Sequence, residues 1–150
     1  MPAHVTLDEL ESIAEADLGA TDWILVDQET VSTFARVTRD EQWIHVDPAR
    51  AAAGPFGGTI AHGFLTLSLT ACFFGELIDV SGCSMTINYG AERVRFPAPV
   101  PVGSRIRGRG RNLGATRQGD AVRLVTRIEV EVEGGAKPAC VADLVTLFYP

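Results

Sequence analysis

One segment constrains this chain more than any other. Residues 63–78, GFLTLSLTACFFGELI, carry a single charge, Glu76. A helix that is apolar nearly all the way round must be covered on more than one side. Its Ser and Thr residues can satisfy their hydroxyls on their own backbone. It falls short of the roughly 18 apolar residues that a bilayer span needs. No second segment of this kind follows, so one helix has to serve as the core, and strands have to cover it.

The remainder supplies those strands. Residues 84–96 are β-like, and Pro97, Pro99, Pro101 and Gly103 punctuate a turn after them. Arg105, Arg107, Arg109 and Arg111 then alternate with Ile106, Gly108 and Gly110. Val122, Leu124, Thr126, Ile128, Val130 and Val132 share one face of the next strand, with Arg123, Arg127, Glu129 and Glu131 on the other. Gly134-Gly135 turns the chain into a last apolar strand, 139–149.

Upstream, Thr6 and Glu9 have capping-box spacing for a short helix that Gly19 ends, and residues 23–26 read as a short strand. Asp27 caps a helix that runs out near Asp40, and Asp47-Pro48 opens a short Ala-rich one. The expected architecture is α+β: a single domain over residues 1–150, an antiparallel sheet wrapped around a long central helix. Such a sheet has open edges, and pairing across a dimer is one remedy.

A 46% hydrophobic, 21% charged composition excludes disorder and fibrous classes. The start of the chain is acidic and amphipathic, unlike a signal or transit peptide, so a cytoplasmic protein is expected. Cys72, Cys83 and Cys140 have no pair spacing and read as free buried thiols, and with three histidines and no cysteine pair a zinc site is not expected. Residues 1–92 hold 14 acids and 3 bases, whereas residues 93–150 hold 5 acids and 10 bases. That basic half suits a small polyanion, such as the phosphates of coenzyme A, better than a nucleic acid. It equally suits a solvated, arginine-rich strand face.

Polar residues with chemical potential cluster between Asp40 and His62. Asp40 and His45 are five apart in what reads as a non-helical linker, so a loop that folds back brings them together. A carboxylate and a neutral imidazole can hold one water between them. Taken singly, Asp40 reads as a helix-terminal loop residue and His45 as a packed or surface histidine. The run GPFGGTIAHG, residues 54–63, leads straight into the apolar helix. The first turn of a helix offers free N–H groups and partial positive charge, and Gly63 lets a ligand approach closely. That suits a carbonyl oxygen gaining negative charge. It is also an ordinary glycine-rich loop entering a helix.

Three motifs in order, Asp40-x-Gln42-x-x-His45, then GPFGGTIAHGFL (54–65), then Asn88-Tyr89-Gly90 followed by Arg93-x-Arg95-Phe96-Pro97, resemble the MaoC-like dehydratase family, which includes the (R)-specific enoyl-CoA hydratases. The family pattern has Asn-Pro where this chain has Gln42-Trp43. The resemblance implies a hot-dog fold, a homodimer, an Asp40/His45 catalytic pair and an oxyanion contact from the Gly63 N–H. It implies no metal or redox cofactor, coenzyme A being part of the substrate. The activity implied is lyase chemistry: hydration of trans-2-enoyl-CoA to (R)-3-hydroxyacyl-CoA, and the reverse. Gln42, His62, Asn88, Tyr89 and Arg95 are further candidates for touching substrate, with packing at the helix start the alternative for His62 and strand bracing for the last three. His4 reads as a disordered-end residue. Two rival functions stay open: a hot-dog acyl-CoA thioesterase and a non-catalytic acyl-thioester-binding subunit.

Overall fold

In a computed structural model that describes residues 2–150, the apolar segment forms α4, Gly63–Leu77, and the strands close around it. Two glycines make that closure possible. Gly108 and Gly110 lie on β6, Arg105–Gln118, where α4 crosses it. A Cβ at Gly108 would overlap the Phe73 side chain, and one at Gly110 would lie 2.7 Å from Leu77 Cδ1. The alternation of arginine with small residues in β6 therefore has a steric cause on its inner side.

The main sheet runs β2 (Asp17–Ala20), β6, β7 (Ala121–Val132), β8 (Cys140–Tyr149), β5 (Met85–Arg95), and β3 (Ile24–Leu25) also pairs with β6. Every pairing in it is antiparallel. Val122, Leu124, Ile128 and Val130 of β7 are fully buried beneath the helix. The expected α+β arrangement, a sheet around a central helix, is the arrangement observed. Ser68 and Thr70 of α4 donate to carbonyls of their own helix, and Thr66 to that of His62 just before it, as their types suggested.

The N-terminal region departs from the reading above. A 3-10 helix, Leu7–Ile13, is all that forms of the first helix, and Gly19 lies inside β2 rather than ending it. Thr6 N donates to Glu9 Oε2 at 2.9 Å, as the capping spacing required. His4 is no loose end: it sits in β1, Ala3–Thr6, which pairs in parallel with β4, Ile78–Ser81, and its Nδ1 lies 2.9 Å from Asp79 Oδ2. Period alone could not find a four-residue strand whose partner lies more than 70 residues away. The thiols differ too. Only Cys140 is buried, and burial pushes it up to about 11, whereas Cys83 is half-buried and Cys72 is exposed on α4.

The outer face of the sheet is a ladder of ion pairs. Arg107 Nε meets Glu131 at 2.6 Å, Arg105 meets Glu133 at 3.3 Å, and Arg127 forks onto Asp143 at 2.7 and 2.9 Å. Arg109, Arg117 and Arg123 also meet carboxylates, so six of the ten basic residues in 93–150 are paired. No helix among the described residues is long and apolar enough to cross a membrane.

Candidate active site

Helix α1, Gln28–Thr38, starts at Asp27, whose side chain accepts from Thr30 N at 2.8 Å. Arg39 ends it in the left-handed conformation, φ 61°, and this turns the chain just before Asp40. Where a non-helical linker was expected at residues 43–46 a short helix forms, and the Ala-rich helix expected after Asp47-Pro48 is observed. These are α2, Trp43–Val46, with His45 on it, and α3, Pro48–Ala52, which Asp47 caps through Arg50 N. The return of the chain brings His62 against His45 of α2 and Phe34 of α1.

His45 is buried, 7% exposed, and its Nδ1 lies 2.7 Å from the Ile60 carbonyl oxygen. A carbonyl only accepts, so Nδ1 carries the proton and Nε2 is left bare in the neutral ring. Burial holds His45 below the usual imidazole range, ahead of smaller influences from the Ile60 hydrogen bond, His62 and Asp40. A neutral imidazole with a bare Nε2 is a competent general base. Its main chain is held as well: Gln28 Nε2 donates to the His45 carbonyl at 2.8 Å, while Gln28 Oε1 accepts from Thr59 Oγ1 at 2.7 Å.

His62, 2% exposed, stacks on His45 with ring centroids 3.8 Å apart and planes 24° from parallel. The tilted ring of Phe34 of α1 packs on it at 4.9 Å. Its Nε2 lies 2.9 Å from the Asp40 carbonyl oxygen, and its Nδ1 is buried without a hydrogen-bond partner. Asp40 itself is exposed. One donor atom from each of Asp40, His45 and His62 falls within 4.8 Å of the others. The cluster is a poor cage for a metal ion, because nitrogen lone pairs lie in the ring planes and near-parallel stacked rings cannot aim two of them at one ion.

A cavity of about 320 Å³ opens beside this cluster, lined by His45, Ile60, Gly63, Thr66, Phe96 and Val100 among others. The loop before α4 is pinned there by Ala61 N to Val100 O at 2.8 Å and Val102 N to Thr59 O at 2.9 Å. The first N–H groups of a helix have no partner within it, so Gly63 presents a donor end to this space. A Cβ on Gly63 would press 3.1 Å from the Phe96 ring. An anionic oxygen at the helix start and a water near His45 are both accommodated by this layout.

The other sequence candidates scatter. Gln42 is exposed at the start of α2, where its carbonyl accepts from His45 N. Asn88, Tyr89 and Arg95 are exposed on β5; Arg95 donates to the Val94 carbonyl beside it, and Asn88 lines a separate cavity between α4 and β5. None of these four lines the His45 cavity. Gln28 and Thr66 escaped sequence reasoning: a glutamine opening a helix and a threonine inside an apolar one carry no local signal. Only a spacing argument linking Gln28 to Thr59 could have found the former.

Three comparisons bear on the whole. Over 149 residues the chain is 50% identical to a 3-hydroxyacyl-thioester dehydratase Z from Mycobacterium tuberculosis, covering 99% of each. It is 46% identical over 148 residues to nodulation protein N from Rhizobium leguminosarum bv. viciae, covering 96% of this chain and 91% of that one. A solved (R)-hydratase from A. caviae involved in PHA biosynthesis superposes with a TM-score of 0.70 at 25% identity, covering 88% of this chain and 96% of that one. The MaoC-like domain model matches residues 9–134, and with those relatives it establishes that this chain belongs to the MaoC-like family, in the hot-dog fold of the (R)-hydratases.

Proposed function

We propose that the protein is a lyase that interconverts a 2-enoyl thioester and its 3-hydroxyacyl thioester, with coenzyme A as carrier and the (R) hand at C3. The observation that carries this reading is a neutral, Nδ1-protonated His45 lining a cavity that the Gly63 end of α4 also faces, with Asp40 alongside. A dehydratase relative that is 50% identical over nearly the full length, and an (R)-hydratase of similar structure, support it.

In hydration, the carboxylate of Asp40 and Nε2 of His45 hold one water. The pair takes a proton from it as its oxygen bonds to C3. The electrons of the double bond move onto the thioester oxygen, and the Gly63 N–H receives that charge; one such donor is worth about 2.7–4 kcal/mol of transition-state stabilisation. The enolate collapses as C2 takes a proton from the pair, so water adds as H and OH. With one water and one pair on one side of the double bond, addition is syn. Dehydration runs the same steps backwards.

The reading extends to assembly. A homodimer covers the apolar outer side of α4 and the open edge of β5, where Phe64, Met85, Ile87 and Tyr89 are exposed. The test of function is loss of the enoyl absorbance of trans-2-enoyl-CoA. Asp40→Asn and His45→Gln each lower kcat by about 10²-fold or more with the fold intact. An (R)-specific 3-hydroxyacyl-CoA dehydrogenase consumes the product and an (S)-specific one does not; consumption by the latter overturns the hand. Release of free thiol in place of hydration would make the protein a thioesterase.

A further inference from the structure

We propose that His62 is a positioning residue for the Asp40/His45 pair, held as the tautomer opposite to that of His45, and that it sets the placement of Asp40 through a hydrogen bond to that residue's main chain. The proposal rests on the reading of Asp40 and His45 as the catalytic pair. It gives His62 a role other than contact with substrate, since the ring is 2% exposed and is not among the residues that line the cavity.

Three features of the ring carry it. Nε2 faces a carbonyl, that of Asp40, at 2.9 Å, so Nε2 must hold the proton and donate. The bond spans 22 residues and ties Asp40, the second residue after α1, to the residue that precedes α4. Asp40 needs such a tie, because it is exposed, follows a left-handed residue and belongs to neither α1 nor α2. Second, the His62 ring stacks on His45 with centroids 3.8 Å apart and meets the tilted Phe34 ring at 4.9 Å, so two aromatic neighbours pack against the imidazole. Third, Nδ1 is buried with no partner. A buried polar atom without a hydrogen bond costs stability, and a leucine or phenylalanine would fill the space without that cost. The donor at Nε2 is what a purely packing residue would lack.

The two rings thus divide the work. Ile60 fixes the proton of His45 on Nδ1 and frees Nε2 for the water, whereas Asp40 fixes the proton of His62 on Nε2 and leaves Nδ1 idle. Displacing Asp40 by even an ångström spoils the shared water, and misplacements of that size cost up to about 10²-fold in rate.

Three variants separate donor from ring. His62→Phe keeps a stacking ring and loses the donor. His62→Gln loses the ring but places an amide N–H at nearly the same reach. His62→Ala loses both. The expected result is that His62→Phe and His62→Ala lower kcat by about tenfold or more, with KM changed less than about twofold, and that His62→Gln recovers most of it. In the Asp40→Asn background, His62→Phe adds less than about a twofold loss, because His62 acts through Asp40. His62→Gln as slow as His62→Phe, or His62→Phe at full rate while Asp40→Asn and His45→Gln are inactive, overturns the positioning role and leaves the catalytic pair standing. Full turnover in Asp40→Asn and His45→Gln instead sinks the reading of the pair, and the role of His62 with it. Nitrogen-15 NMR of the unmodified protein decides the tautomer whether or not His62→Phe folds: a proton on His62 Nε2 supports the proposal, and one on Nδ1 overturns it.

Discussion

The two sides of α4 are made of similar residues and meet opposite fates. Leu65, Phe73, Phe74 and Leu77 are buried against the sheet, while Phe64 on the other side is 69% exposed and Ala71 and Cys72 are open beside it. The inner side is closed because β6 offers Gly108 and Gly110 where Phe73 and Leu77 arrive. The outer side faces a cavity of about 470 Å³ toward β5, whose residues are nearly all exposed. A helix can be apolar all round for two unrelated reasons, then: its own sheet demands it on one side, and the other side is apolar without being covered by this chain.

The sharpest way to break this comparison is on the inner side. Phe73→Ala removes a fully buried ring and should cost about 3–5 kcal/mol in urea denaturation. A loss below about 1 kcal/mol would mean that the sheet collapses onto the helix without it. The next effect belongs to the outer side. Phe64→Asp should leave the stability of the single chain within about 0.5 kcal/mol, yet weaken self-association by about tenfold or more. Light scattering reads the association, and Cys72 reads it independently. Its thiol should react faster as the protein is diluted, while buried Cys140 stays unreactive at any dilution. Equal Cys72 rates at all concentrations would leave the outer face uncovered in solution.

A third, smaller effect lies at the N-terminal end of α4, where both sides meet the site. The folded His45 is held below the 6.5 of a free imidazole, chiefly by burial. The unfolded chain therefore binds the proton first. Stability from this group is complete above pH 6.5 and is lost as pH falls through the folded value. The acid limb of kcat/KM should accordingly fall below pH 6.5, and a limb above it would contradict a neutral, buried base. Smallest of all, Arg105→Ala removes one half-exposed rung of the outer ladder and should change stability by less than about 1 kcal/mol, less still at high salt.

Much of the fold was legible because its signals are local. An apolar run of helical length, period two in residues 122–132, Asp27 and Asp47 as caps, and Pro48 at a first helical position all act within a few residues of themselves. What went unread depends on distant partners: His4 in a parallel pair with β4, β2 in place of a longer helix, and the short helix that carries His45. The site divides the same way. Asp40, His45 and Gly63 stood out by residue type and motif, and the chain does bring Asp40 and His45 together with His62. Asn88, Tyr89 and Arg95 were secondary candidates, with strand bracing the alternative, and they lie exposed on β5, Asn88 beside a different cavity.

The sequence by itself determined that one helix would be the core and that strands would enclose it, since those follow from composition and order along the chain, while three short motifs carried the family resemblance. Only the tertiary structure decided which nitrogen of His45 and of His62 carries its proton. Those choices are made by the carbonyls of Ile60 and Asp40, 15 and 22 residues away from the rings they hold, and every residue has a carbonyl. A group common to all twenty side-chain types leaves no trace in residue identity, so its position becomes information only when the chain has folded.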